Sequence, residues 1–214
     1  MITWWERFHI HYLSNEKERI IMKKLIACAL ASCMLLSGTV VFADETEATT
    51  SLNWEDFVAI NEASDNDVIS QGDFVTFDEI ACKMWVPNVM KEVELTDEDK
   101  EAGYIGYYST DDQDGVATVM YVDMDGMELA DYAKELEGMD DVENIEMMTL
   151  NGFDAVSYDL PEKDTTCVSL ATEAGYILEF SFAPMSDEGF QTVIAFMGAS
   201  IQPEDAEEST EAAS

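Results

Sequence analysis

The segment from Val116 to Met124 reads VATVMYVDM and decides which kind of fold the chain can adopt. Successive side chains of a strand point to opposite faces. Both faces of this strand are apolar, with Val116, Met120 and Val122 on one and Ala117, Val119 and Tyr121 on the other. A strand that is apolar on both faces has to be covered on both. The segment therefore predicts a sheet with helices on each side.

An amphipathic helix is predicted directly after this strand, over residues 125–138. Asp125 and Glu128 have the spacing of a capping box, and Gly138 ends the pattern. Apolar residues recur at i, i+3, i+4 and i+7, namely Leu129, Tyr132, Ala133 and Leu136. Before the quoted segment, residues 104–109 form its hairpin partner, joined by the turn Asp111-Asp112-Gln113-Asp114-Gly115.

Two more hairpins and a final helix are predicted after residue 138. Asn151-Gly152 is a strong hairpin signal, because a type I′ turn needs positive φ at both positions. A second hairpin turns at Glu173-Ala174-Gly175. The flanking strands span residues 144–150, 153–158, 165–172 and 176–183. Ser186 then caps a helix that Pro203 stops, and its apolar stripe consists of Phe190, Val193, Ile194, Met197 and Ile201.

The segment before the first hairpin predicts a helix from Asn53 to about Ala63, a strand pair within residues 72–87, and a helical turn opened by Thr96 and Asp99. The whole order favours an α+β fold, a largely antiparallel β-sheet with helices on both faces, in an α/β/α sandwich. Residues 52–203 are interpreted as one globular domain. Residues 44–51 are a flexible acidic leader, and residues 204–214 are a disordered acidic tail.

The run from Phe74 to Ile201 resembles the PsbP-like fold family, which includes a photosystem II extrinsic protein, a Ran-binding nuclear factor and small bacterial envelope proteins. The features that carry the resemblance are Trp85-Val86-Pro87, the long hairpin, the capped helix at 125–138, Asn151-Gly152, the Ala174-Gly175 hairpin and the closing amphipathic helix. The resemblance implies a binding or assembly module rather than an enzyme. It carries over no ligand residues, because no binding motif of the family matches here.

The segment from Met22 to Ala43 has the pattern of a secretory signal peptide of a bacterial protein. Two lysines precede an apolar run, and the sequence ending in Ala43 fits a cleavage site. Lipoprotein anchoring at Cys33 is a less favoured alternative, since the residues after it are still apolar, and an uncleaved anchor is a further one. Residues 1–21 are interpreted as an upstream extension, with Met22 as the true start. The sequence thus predicts a protein that is secreted or held in the cell envelope, without a stable membrane span after cleavage.

The charge of the predicted exported chain is extremely acidic. Five of the ten Lys and Arg residues and three of the 46 Asp and Glu residues precede residue 44, so 5 basic and 43 acidic residues remain. The basic residues are Lys83, Lys91, Lys100, Lys134 and Lys163. The net charge of about −38 excludes nucleic acid as a partner and favours a basic protein or a cationic cell-envelope component.

No histidine or arginine lies after residue 43. Histidine-dependent nucleophilic catalysis and arginine clamps for phosphate are therefore excluded. We expect a non-catalytic binding or accessory domain of unknown specific role. The two alternatives are an extracellular calcium-binding protein and a hydrolase that uses paired carboxylates.

The candidate sites are few. Asp111, Asp112 and Asp114 are the candidate ligands for Ca²⁺, although the turn lacks an EF-hand pattern and also reads as a solvated turn. No other cofactor is predicted. Cys82 and Cys167 are the two cysteines of the exported chain. A disulfide between them and two reduced, buried thiols are both open interpretations.

Overall fold

A computed structural model describes residues 50–63, 67–77, 80–122, 124, 126–172 and 176–206 of the chain. The chain divides into two compact units, residues 1–50 and residues 51–214. The first unit lies outside the described residues except for Thr50. The predicted upstream extension, the signal peptide with Cys33 and Ala43, and residues 207–214 of the predicted tail therefore also lie outside them.

The described chain contains strands and helices in an α+β arrangement. The strands are β1 (Thr50–Leu52), β2 (Gly72–Phe77), β3 (Cys82–Pro87), β4 (Met90–Glu92), β5 (Tyr104–Thr110), β6 (Val116–Val122), β7 (Glu143–Leu150), β8 (Phe153–Leu160), β9 (Thr165–Ala171), β10 (Ile177–Ala183) and β11 (Gln202–Pro203). The α-helices are α1 (Trp54–Ala63), α2 (Asp97–Glu101), α3 (Leu129–Glu137) and α4 (Glu188–Ala199). None of the helices in this part of the chain is long and apolar enough to cross a membrane.

The strands form a large sheet and a small one. The large sheet has eight strands in the order β1-β7-β8-β9-β10-β6-β5-β4, and the pairings from β7 to β4 are all antiparallel. The small sheet has the order β11-β3-β2, again antiparallel. The predicted fold class, a largely antiparallel sheet in an α+β protein, is confirmed.

One face of the large sheet, here called the inner face, packs against the small sheet and α4. Its buried side chains are Ala117, Val119, Ala155, Leu170, Leu178, Phe180 and Phe182. Phe77 of β2 makes edge-to-face contacts with Tyr108 and Phe180 on this face. Helix α4 packs on β3 and β10. The inner face therefore holds the main core.

The opposite face, here called the outer face, carries α3. The buried side of this helix contacts one cluster of sheet residues, namely Val156, Tyr158, Cys167 and Ile177. These residues alternate with inner-face residues along β8, β9 and β10. Helices on both faces of the large sheet, as predicted, are thus confirmed, but the outer face of β6 itself is only partly covered.

The turn at Asn151-Gly152 is a hairpin turn and also a tie between elements. Asn151 has φ 49° and Gly152 has φ 89°, as a type I′ turn requires. The Asn151 side chain accepts a hydrogen bond from the backbone N–H of Trp54 at 2.6 Å and donates to the carbonyl of Ala199 at 2.7 Å. One residue therefore fixes the start of α1 and the end of α4 to the sheet.

The structure corrects the predicted start of α3. The helix begins at Leu129, with Glu128 as the N-cap residue, and the Glu128 side chain makes no capping hydrogen bond. Asp125, the predicted cap, lies outside the described residues. The end of the helix at Gly138 agrees with the prediction.

Both ends of α4 also differ from the prediction. Asp187, not Ser186, is the N-cap, because its carboxylate accepts from the backbone N–H groups of residues 189 and 190. Ser186 instead bonds to Asp164. The helix ends at Ala199, and Pro203 lies in β11, where it pairs with Cys82. Ile201 is fully buried although it lies beyond the helix.

The short strands at the two edges of the large sheet were not predicted. β1 begins at Thr50, within the segment interpreted as a flexible leader, and it lies next to β7. β4 is a three-residue strand at the other edge of the large sheet. Such short edge strands lack a clear alternating pattern, so their pairing depends on the rest of the sheet.

Candidate functional site

The predicted calcium residues lie in the exposed turn between β5 and β6. The Lys91 ammonium group donates to Asp111 Oδ1 at 2.6 Å. Asp112 Oδ1 accepts from Thr110 Oγ1 at 2.6 Å, and this hydrogen bond lowers the pKa of the Asp112 carboxyl. Asp114 is exposed on the same turn, and its backbone N–H points to Asp112 Oδ1 at 3.4 Å. Asp111 therefore forms an ion pair, and Asp112 stabilises the turn.

No group of three or more His, Cys, Asp or Glu side chains in the described ranges is arranged to hold a metal ion. The turn at residues 111–115 brings its three aspartates into one segment without converging them on a common point. Calcium binding there stays a prediction, for which a titration is given in the Discussion.

The two cysteines are separate, free and buried. Cys82 lies in β3, and Cys167 lies in β9 beneath α3. Burial raises the pKa of the Cys82 thiol to about 12. Burial also raises the pKa of Cys167 to about 12, with a further contribution from the charge of Glu179. The structure therefore has two buried thiols and no disulfide between Cys82 and Cys167.

A network of hydroxyl groups around Glu179 lies on the outer face. Here the Glu179 network denotes Tyr132, Tyr158, Cys167, Ser169, Glu179 and Ser181. The Tyr158 hydroxyl donates to Glu179 Oε2, and the Ser181 hydroxyl donates to Glu179 Oε1 at 2.9 Å. The Tyr132 and Tyr158 hydroxyls are 3.2 Å apart, and Cys167 Sγ lies 3.4 Å from Ser181 Oγ. A single carboxylate thus organises side chains from α3 and three strands.

Strand register explains why these residues meet. Glu179 pairs with Met120 of β6 on one side and with Ser169 of β9 on the other. Ser181 pairs with Cys167 in the same way. Directly opposed residues of antiparallel strands point to the same face with Cβ atoms about 5 Å apart. The strand register of the large sheet therefore brings these residues together.

The network keeps its hydroxyl groups protonated at neutral pH. Burial raises the pKa of Tyr158, and the negative charge of Glu179 raises it further. Burial also raises the pKa of Tyr132. Neutral hydroxyls donate to the carboxylate, so Glu179 is held in place by donors that carry no charge. These donors therefore do not neutralise the negative charge of the Glu179 carboxylate.

Ser169 differs from the other residues of the Glu179 network in its hydrogen bonding. Its side chain is fully buried, and its hydroxyl makes no hydrogen bond with another described residue, although it lies near enough to the Tyr132 hydroxyl to lower the pKa of Tyr132. Buried polar atoms without a partner are rare in folded proteins and call for an explanation. Ser169 thus carries a buried hydroxyl on the sheet face that also carries Glu179, its partner in the register.

The outer face continues past α3 onto β6 and β5 as a partly exposed surface. Thr118 pairs with Ser181 and with Tyr107, and Met120 pairs with Glu179. These side chains are all partly exposed. We call this surface, formed by Tyr107, Thr118, Met120, Glu179 and Ser181, the open outer face. Glu179 is therefore partly exposed to solvent among these side chains.

Sequence reasoning missed this site. The signal available was in β10, where Glu179 and Ser181 alternate with Leu178, Phe180 and Phe182. Two polar residues on one face of a strand that is apolar on the other indicate a partly exposed face. The positions of Tyr132 and Tyr158 beside Glu179 follow only from the register and the placement of α3.

Comparison with solved structures supplies a structural likeness. No family model matches the chain, and no curated protein matches it. The chain is similar to the solution structure of cyanobacterial PsbP (CyanoP) from Synechocystis sp. PCC 6803, with 13% identity, a TM-score of 0.43 and coverage of 63% of this chain and 94% of that chain. This agrees with the resemblance stated from the sequence. The likeness concerns the fold alone.

Proposed function

We propose that this protein is an exported, non-catalytic binding or accessory domain that contacts a basic protein partner. The charge of the exported chain supports the proposal, because this part of the sequence has 43 acidic residues and only five lysines. A surface of this charge attracts polycations and repels anionic ligands. The signal-peptide pattern of residues 22–43 supports export.

The lysines of the described chain do little to offset this charge for a partner. Lys91 and Lys134 each donate to an aspartate at 2.6 Å. Lys83 is buried, donates to the carbonyl of Ala206 at 2.6 Å and lies over the Phe74 ring. Three of the five positive charges are therefore engaged within the protein, and the acidic surface is left for a cationic partner.

The absence of the usual catalytic groups from the exported sequence supports a non-catalytic role. No histidine follows residue 43, so no neutral base of that type is available. Cys82 and Cys167, each with a pKa of about 12, are protonated at neutral pH and are poor nucleophiles. No specific observation favours the calcium-binding or hydrolase alternatives.

Retention on an immobilised lysine-rich peptide tests the proposed function. We expect the purified protein to bind at about 0.15 M salt and to elute as the salt rises, because charge attraction is screened. The matched control is the same peptide with acetylated lysines, which keeps its length and loses its charge. Failure to bind the charged peptide, or equal binding to both peptides, would contradict the proposal.

A further inference from the structure

Glu179 is a partly exposed carboxylate that makes no ion pair in the described part of the chain. Its hydrogen-bond partners there are the Tyr158 and Ser181 hydroxyls, both neutral. Charge removed from water is costly unless it is paired. Most acidic side chains in the described ranges are exposed, whereas Glu179 lies within a sheet face and is only partly exposed.

The unused acceptors around Glu179 match the donors of an ammonium group. A carboxylate has about four lone-pair sites, and Tyr158 and Ser181 occupy two. Ser169 Oγ, directly across the β9–β10 pair, is buried without a partner. An ammonium group has three donors and no acceptor. The free carboxylate sites and the lone serine hydroxyl together supply acceptors for it.

Other cations fit this arrangement less well. Calcium takes about six to eight oxygen ligands, often from several carboxylates, and no such cluster is present in the ranges described. A guanidinium binds best when it meets both carboxylate oxygens in a fork. Each Glu179 oxygen already accepts a hydroxyl, so a guanidinium would have to share both oxygens with those donors. A compact ammonium group, which acts as a point charge, has no such requirement.

We propose that Glu179, with Ser169 beside it, is the docking point for a lysine side chain of the basic partner, and that the open outer face receives the segment carrying that lysine. This inference rests on the proposed function. Met120 lies directly opposite Glu179 in the register, where the apolar stem of a lysine packs while its charged end reaches Glu179. The charge of about −38 favours a polycationic protein segment over a free amine.

Binding of an unstructured lysine-rich peptide, followed by calorimetry and by amide chemical shifts, tests the inference. The variant is Glu179→Gln, which keeps the shape and one acceptor oxygen. The matched control is Glu55→Gln on α1, which removes the same charge from an exposed position on another element. We expect Glu179→Gln to weaken binding at least about tenfold and Glu55→Gln to weaken it less than about twofold. Amide shifts are expected to concentrate on β6 and β10.

A second variant supplies a lysine from the protein itself. Met120→Lys places an ammonium group directly opposite Glu179, since the two residues pair in the register. We expect this variant to fold and to lose peptide binding, because the docking point is filled. Normal binding by a folded Met120→Lys protein would overturn the inference.

The outcomes separate the inference from the proposed function. If the wild-type protein does not bind the charged peptide, both fail. If it binds and the two glutamine variants lose affinity equally, diffuse charge is responsible, and only the docking point at Glu179 is wrong. If n-butylamine alone competes at the concentration of peptide lysines, the site takes small amines rather than a protein segment, which also overturns the inference.

Discussion

Strand β10 shows how differently the two faces of the large sheet are used. Its inner-face residues Leu178, Phe180 and Phe182 are 2%, 0% and 1% exposed. On the outer face, Ile177 is buried under α3, whereas Glu179 and Ser181 are partly exposed and hydrogen-bonded to each other. The same seven-residue strand therefore contributes buried apolar side chains to the core on one side and a partly exposed carboxylate on the other. The inner face of β10 is wholly buried, whereas its outer face leaves two polar side chains partly exposed.

The largest effect is expected from breaking the inner face. Phe180→Ala removes a fully buried ring that packs on Phe77, and we expect a loss of about 3–5 kcal/mol in the free energy of unfolding measured with urea. Met120→Ala on the open outer face is the control, with a loss of about 1 kcal/mol, because its side chain is already partly exposed. Equal losses for the two variants would show that the faces do not differ as described.

The sequence predicted the inner face better than the outer one. Ala117 and Val119 of β6 and the stripe of α4 are buried as predicted, and the Asn151-Gly152 turn is also confirmed. Errors fell at the ends of helices, where Asp187 and Ser186 are equally suitable caps from their chemistry. Which of them caps depends on Asp164, 22 residues away, which holds Ser186 instead.

The candidate site was much less predictable. With 46 acidic residues in the chain, no local pattern distinguishes Glu179 from the others. Its distinction is its register opposite Ser169 and Met120 and its contact with Tyr158, which are long-range features of the sheet. The aspartates at residues 111–114 stood out in the sequence because they are adjacent, and they prove to serve a turn and an ion pair.

A smaller loss of stability is expected from raising the pH. It depends on the two buried thiols, one in the small sheet and one on the outer face of the large sheet. Cys82 in the small sheet and Cys167 on the outer face have pKa values raised from 9.0 to about 12. Above pH 9 the unfolded chain loses thiol protons that the folded protein retains. Stability therefore falls as the pH rises, by about 1 kcal/mol for each thiol between pH 9 and pH 10.

Urea unfolding of the wild-type protein, Cys82→Ala and Cys167→Ala at several pH values between 8 and about 10.5 measures this effect. Each alanine variant starts from a lower stability and is expected to show a shallower decline, because one of the two thiols is gone. Profiles parallel to that of the wild-type protein would mean that the thiols ionise as readily in the folded state as in the unfolded one.

The smallest effect is expected at the exposed turn of residues 111–115, which belongs to neither face. Asp111 is paired with Lys91 and Asp112 is held by Thr110, so binding calcium there would have to displace these contacts. We expect equal, small rises in Tm with calcium and with magnesium at matched ionic strength, because both ions screen the repulsion among carboxylates. A calcium-specific site filled at about 100 times its Kd would add about 2.7 kcal/mol. A rise with calcium alone that Asp112→Asn abolishes would make the turn a binding site and would move recognition away from the open outer face.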